Sequence, residues 1–255
     1  MKLFDTHAHY DDKRFKEDRD ELLASMPDQG VKYITNIGCD LETSRNTIVL
    51  CEKFSHVYGA VGYHPHEAKD MSDENLLAIE KMLTHEKIRA LGEIGLDYHY
   101  DFSERDVQRA AFARQLEVAK AHKIPVVIHE REATKDCLDI LRASGVDNGV
   151  VHCFGGSKET ARELLDMGFH ISFTGVITFD NARKALEVVP YIPADRIMVE
   201  TDCPYLTPIP FRGKRNHSGY LRYTVERMAQ LRGISAEECA ALTFENGIRF
   251  YGIHE

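Results

Sequence analysis

Short apolar runs alternate with longer amphipathic ones along the chain. Runs rich in β-branched and aliphatic residues predict eight strands, over 2–7, 32–37, 57–62, 88–94, 125–129, 149–152, 169–173 and 196–200. Between them, apolar positions recurring near the helical period predict helices over 17–26, 41–54, 73–83, 105–122, 134–144, 158–167 and 181–189. Ser72, Ser103 and Ser157 read as N-caps, and Gly168 as a helix stop. A repeated strand–helix unit predicts a parallel sheet. A spacing of roughly 28 residues per unit suits a (β/α)8 TIM barrel, an α/β fold of about this length. An open doubly wound sheet is the alternative, but no G-x-G-x-x-G follows the first strand. Two extra helices, over 221–231 and 236–251, close the chain. With no linker or low-complexity tract, residues 1–255 are expected to form one barrel domain.

Composition narrows the function classes. The chain has 255 residues and is 43% hydrophobic, enough for a sizeable core. It carries 32 Lys and Arg against 41 Asp and Glu, a net charge of −9. That balance excludes a broad basic surface coating nucleic acid, though not a phosphate site inside a cleft. Apolar runs are too short to span a membrane, and the first residues lack an apolar signal region, so a cytoplasmic protein is expected. The six cysteines include no C-x-x-C pair, so they read as reduced thiols rather than zinc-finger or thioredoxin motifs.

The unusual count is 13 His with no Trp. His7 and His9 sit two apart at the end of the first strand, a spacing that puts both on one face if Asp5 faces the barrel interior. Glu93, His129, His152 and Asp202 fall at the ends of the fourth, fifth, sixth and eighth strands. Barrel enzymes assemble their active sites at that rim. A carboxylate in an apolar run needs a partner, and a metal ion supplies one. Six ligands are too many for one catalytic ion and suit two, with Glu93 able to bridge through its two oxygens.

These segments resemble the TatD family of metal-dependent hydrolases and DNases, within the amidohydrolase-like barrels. The matching motifs are Phe4-Asp5-Thr6-His7-Ala8-His9, Gly62-Tyr63-His64-Pro65-His66 and Gly92-Glu93-Ile94-Gly95-Leu96-Asp97-Tyr98. They continue with Pro125-Val126-Val127-Ile128-His129, His152-Cys153-Phe154-Gly155-Gly156 and the run from Glu200 to Pro208. The likeness extends from residue 3 to about 250 in the family's order. It implies that His7, His9 and Asp202 hold one ion, that His129 and His152 hold a second, and that Glu93 bridges them. It also implies hydrolysis of DNA phosphodiester bonds, often from the 3′ end. One departure stands out: after Arg212-Gly213-Lys214-Arg215-Asn216 the family pattern continues Glu-Pro, whereas here His217 and Ser218 follow, in a loop expected to border the substrate.

The expected chemistry is attack by a metal-bound hydroxide held between two divalent ions, Mg or Mn for activity with Zn also suited to histidine ligands. Asp202 has two roles open to it, as a ligand alone or as a ligand that also accepts the water's proton. Glu200 shares its face and suits a supporting role behind the ligands. His64 is the better of the two histidines flanking Pro65 for a contact to phosphate or water. Arg131 shares a face with His129 and reads as a phosphate clamp or a surface ion pair. Arg212, Lys214 and Arg215 form a basic loop that could steer a phosphate chain. Tyr98 reads as a base-stacking ring or as loop packing, and Cys153 and Cys203 as packing. The expected substrate is a DNA end or single strand, with no membrane and no obligate protein partner. The rival reading is a binuclear-metal amidohydrolase acting on a small amide or ester. Related barrels often bridge their ions with a modified lysine, whereas Glu93 ends the fourth strand here. A non-catalytic metal-binding scaffold is a third reading, disfavoured by so many ligands on one rim.

Overall fold

The computed structural model describes residues 1–254. Eight parallel strands pair in chain order in one sheet. They are β1 (Leu3–Ala8), β2 (Val31–Ile37), β3 (Val57–Val61), β4 (Ile88–Asp97), β5 (Val126–Arg131), β6 (Gly149–Val151), β7 (His170–Phe173) and β8 (Ile197–Val199). The sheet curls until its edges meet. His9 N donates to Cys203 O at 2.8 Å and Asp202 N to His7 O at 2.9 Å, which makes a nearly closed barrel. The helices between strands are α1 (Arg19–Ser25), α2 (Leu41–Lys53), α3 (Asp73–Met82), α4 (Arg105–His122), α5 (Thr134–Ser144), α6 (Lys158–Asp166) and α7 (Arg183–Val188). Two more follow, α8 (Leu221–Arg232) and α9 (Ala236–Tyr251).

The apolar pattern divides into two cores. Phe4, Ile37, Ala60, Ala90, Val127, Val150 and Met198 come from seven different strands yet pack together, which places them inside the barrel. Phe244, Phe250 and Tyr251 of α9 join this cluster and cover the barrel end where the strands begin. The opposite strand faces, including Ile34, Ile94, Ile128 and Ile171, pack against the helices in the larger core. One end of the barrel is thus plugged, and polar side chains collect at the other.

Several local expectations change. β4 runs three residues beyond its predicted end at 94, to Asp97. Gly95 makes this possible: its φ is +142°, and a Cβ there would lie 2.0 Å from His129 O. Only glycine lets β4 pass so close to β5. Ser72 and Ser157 cap α3 and α6 as expected. Ser103 does not cap α4; its hydroxyl donates to His66 O and accepts from Lys69 N, tying two loops together. Asp5 does not share the face of His7 and His9. A register shift between Asp5 and Ala8 breaks simple alternation, and the Asp5 carboxyl accepts bonds from Thr201 N, Thr201 Oγ1 and Ser218 Oγ instead.

Candidate metal centre

The strand ends place His7 and His9 (β1 and just after), Glu93 (β4), His129 (β5), His152 (after β6) and Asp202 (after β8) around one point, with Asp97 at the end of β4 behind His129. Asp202 and Cys153 adopt left-handed backbone, with φ of 53° and 44°. Non-glycine residues seldom take that conformation, and here it turns the chain off the ends of β8 and β6. The cluster lies at the floor of a cleft of about 480 Å³. His7 is fully buried beneath it, its ring stacked on His152 with centroids 4.0 Å apart.

Glu93 sits at the middle. Its Oε1 lies 2.7 Å from His129 Nδ1 and 2.8 Å from His152 Nε2. Its Oε2 faces the other way, 3.3 Å from His7 Nε2 and 3.6 Å from His9 Nε2. Asp202 Oδ1 stands 3.3 Å from His9 Nε2 and 3.8 Å from His7 Nε2. The two carboxylate oxygens of Glu93 therefore address two separate groups of histidines.

The outer partners of the rings fix which nitrogen carries a proton. His9 Nδ1 lies 2.9 Å from the carbonyl of Ile37, so a neutral ring keeps its proton there. His152 Nδ1 faces Glu200 Oε1 at 3.1 Å. His129 Nε2 faces Asp97 Oδ2 at 3.2 Å. The inward atoms, His9 Nε2, His152 Nε2 and His129 Nδ1, then present lone pairs. They point at one another and at carboxylate oxygens, with His129 Nδ1 and His152 Nε2 only 3.2 Å apart. Acceptors crowded this closely need a positive charge among them. The nitrogen- and oxygen-rich donor set fits divalent transition metals and Mg²⁺ or Mn²⁺.

The titration directions express the same demand. Burial opposes charge on His152, yet the carboxylates of Glu93 and Glu200 push its pKa well above the ordinary value. Burial opposes charge on His9 too, and Cys39 and Asp202 overcome it. Burial also works against the Glu93 anion, but His152, whose own pKa is raised, holds its carboxyl well below the usual range. Asp202 is likewise lowered against its burial, by His9.

His64 behaves differently. Burial drives its pKa well down, so the ring is neutral. Its Nδ1 accepts from the backbone N–H of His66 at 3.1 Å. The proton must then be on Nε2, which faces the cleft 3.6 Å from Glu93 Oε1. His64 thus offers the cleft a donor rather than a lone pair.

Other expected contacts fall outside the cleft lining. Arg131 lies over the Tyr100 ring at 4.8 Å, Arg212 over Phe179 at 4.4 Å and Lys214 over Phe211 at 5.5 Å. Tyr98 packs into its loop, donating to Asp136 Oδ2 and lying under Arg105. Ser218, expected beside the substrate, is fully buried and bonded to Asp5 and Tyr10. Cys203 is buried in the helix-facing core, and Cys153 contacts Thr174.

Sequence reasoning missed three residues. Asp97 holds both His129 and His66, the latter at 2.8 Å. Alternation from Glu93 would have found it, had the strand not been ended at 94. Cys39 lies beside His9, with Sγ 3.9 Å from Nδ1. Tyr205 lines the cleft from the loop after β8, where no periodic signal operates.

The sequence profile of the TatD-related DNases matches residues 4–252. The chain is 43% identical to the uncharacterized metal-dependent hydrolase YabD of Bacillus subtilis (strain 168), over 99% of this chain and 100% of that protein. It is 32% identical to the 3′-5′ ssDNA/RNA exonuclease TatD of Salmonella typhimurium, over 96% of each chain. Among solved structures, YjjV, a TatD homologue from Escherichia coli K12, superposes with a TM-score of 0.93 at 28% identity, covering 99% of this chain and 98% of that one. The chain belongs to the TatD-related DNase family of metal-dependent hydrolases.

Proposed function

We propose that this protein hydrolyses phosphodiester bonds of single-stranded or frayed DNA, removing nucleotides from the 3′ end, with two divalent ions at the rim of the barrel. The observation that carries this reading is the two-sided Glu93 carboxylate, with His129 and His152 on one oxygen and His7 and His9 on the other. His7, His9 and Asp202 would hold one ion, His129 and His152 the other, and Glu93 would bridge them. Bound there, Mg²⁺ or Mn²⁺, or Zn²⁺ as a histidine-preferring alternative, would supply Lewis acidity and a water of lowered pKa. The name of the Salmonella relative supports DNA as substrate and the 3′ end as the start.

The chain's own groups divide the remaining work. Asp202 stays ionised at neutral pH and is placed to accept a proton from the attacking water. His64 keeps a proton on Nε2 and can donate it as a hydrogen bond to a phosphate oxygen. Glu200 and Asp97 hold His152 and His129 in orientation. The low-dielectric floor strengthens each of these interactions.

The amidohydrolase alternative often places a modified lysine between the ions, and here Glu93 stands between the two histidine groups. A substrate panel separates the two readings. With Mn²⁺ or Mg²⁺ supplied, a single-stranded oligodeoxynucleotide should be degraded, and N-acetylated sugars and lactones should not. Turnover of an amide or lactone with intact DNA would overturn the proposal.

A further inference from the structure

We infer that the substrate strand leaves the metal cleft across Tyr205 and lays a backbone phosphate in an adjoining cationic pocket formed by Lys13 and Lys16. This inference rests on the phosphodiesterase reading and extends it to a second binding subsite. The pocket, of about 390 Å³, is lined by Lys13, Arg14, Lys16, Glu17, Asp18 and Arg215. Lys13 also lines the metal cleft, so the two cavities share a wall.

The charges in this pocket are sorted. Arg14 is clamped by Asp12, through Nε at 2.9 Å and Nη2 at 2.7 Å. Arg215 is paired with Asp18 and also donates to the carbonyl of Arg14 at 2.6 Å. Both guanidiniums are thus fixed as walls. Lys13 and Lys16 are exposed and have no carboxylate partner among the described residues. Four cations face three carboxylates, Asp12 on Arg14 included, in a protein whose net charge is −9. A local reversal of sign beside an acidic-ligand cleft suits an anion that has just passed the metal centre.

Tyr205 forms the threshold. It is 47% exposed despite lining the cleft. The Arg14 guanidinium lies over its ring, 4.0 Å from the centroid, and the His9 ring meets it edge-on at 6.5 Å. A tyrosine held flat by a fixed arginine, next to a metal ligand, is a stacking surface for a base of any identity. Stacking there would carry the backbone toward Lys13 and Lys16. The subsite therefore reads backbone and ring and is indifferent to base sequence.

The test measures binding and turnover in parallel. A labelled thymidine oligonucleotide is titrated by fluorescence anisotropy against wild type and Lys13→Gln/Lys16→Gln across a salt series. Each phosphate contact on a single strand contributes a salt slope of about 0.7, so the double variant should lose roughly 1.4 from the slope. Its oligonucleotide kcat/KM, divided by that for bis(4-nitrophenyl) phosphate, should fall about tenfold or more. Tyr205→Ala should lower the same ratio about tenfold, and Tyr205→Phe should restore it. An unchanged slope and ratio in the lysine variant, with wild type cleaving both substrates, would overturn the subsite alone. A wild type that cleaves neither phosphodiester would overturn the underlying reading and this inference together.

Discussion

Glu200 reaches His152 from the end of β8, its Oε1 3.1 Å from His152 Nδ1, and so decides which imidazole nitrogen faces the cleft. The same oxygen accepts from Cys153 N at 2.7 Å, which anchors the turn that carries His152 off β6. Removing such a partner typically lowers metal affinity or activity about 10–100-fold. Glu200→Ala should show that loss in metal titrations read by calorimetry. Glu200→Gln keeps an acceptor oxygen and should lose less. Equal affinity in Glu200→Ala and wild type would remove Glu200 from the account.

Asp97 plays the matching part for His129. Burial opposes its charge, yet bonds from His129, Tyr100 N and His66 hold its carboxyl well below the usual range. Asp97→Asn removes the charge and offers an amide N–H where two rings now find an acceptor. The expected result is a loss of roughly 10–100-fold in metal affinity with the fold retained by circular dichroism. An Asp97→Asn protein that binds metal like wild type would show that His129 needs no such support.

Ser218 tests a different point. Its hydroxyl donates to Asp5 Oδ2 at 2.6 Å and accepts from Tyr10 OH at 2.9 Å. All three residues are buried. Ser218→Ala strips both bonds; Asp5 Oδ2 keeps its bond from Thr201, but the buried Tyr10 O–H loses its acceptor, a cost of about 1–3 kcal/mol. Urea unfolding should report that loss, while kcat/KM of the folded protein changes by less than about twofold. A large change in substrate preference with unaltered stability would return the His217-Ser218 loop to the substrate's border.

His170 gives the account a pH test remote from the metal centre. It lies at the start of β7 and is buried, with the Phe250 ring edge-on at 5.2 Å. Burial, and then Arg196, pull its pKa down to about 4. Above an ordinary histidine pKa of about 6.5 neither state is charged, and His170 has no effect on stability. As pH falls from there through about 4, the unfolded chain takes up a proton that the folded chain resists. Stability should therefore drop across that window, by up to about 3 kcal/mol from this group. His170→Leu should flatten the fall in urea midpoint between about pH 7 and pH 4.5. An identical slope in the variant would contradict the assignment.

Much of this architecture is legible in the apolar pattern. Each strand carries enough β-branched and aliphatic residues to be found, and the proposed ligands His7, Glu93, His129, His152 and Asp202 sit where those runs stop. Ends were harder to read than existence. β4 continues through Gly95 because its backbone conformation and its approach to His129 exclude a side chain, which no hydrophobic count conveys. That extension hid Asp97. The Asp5–Ser218 contact joins residues 213 apart in sequence, so nothing local could announce it. Arg131, Arg212 and Lys214 read as substrate contacts from position alone, and the structure places them over the rings of Tyr100, Phe179 and Phe211 rather than among the residues lining the cleft. Tyr205 lies on a loop after β8 and Lys13 on a short 3-10 turn after β1, segments that only the closed barrel brings together.

The most direct measurement follows a 5′-labelled single-stranded oligodeoxynucleotide with EDTA-stripped protein as Mn²⁺ is added back, for wild type and Glu93→Ala. The account predicts no digestion without metal, then shortening from the 3′ end that rises to a plateau at two ions per chain. It predicts that Glu93→Ala, lacking the carboxylate between the two histidine groups, loses at least about 100-fold of that activity. Equal digestion by wild type and Glu93→Ala, or digestion that needs no metal, would contradict it.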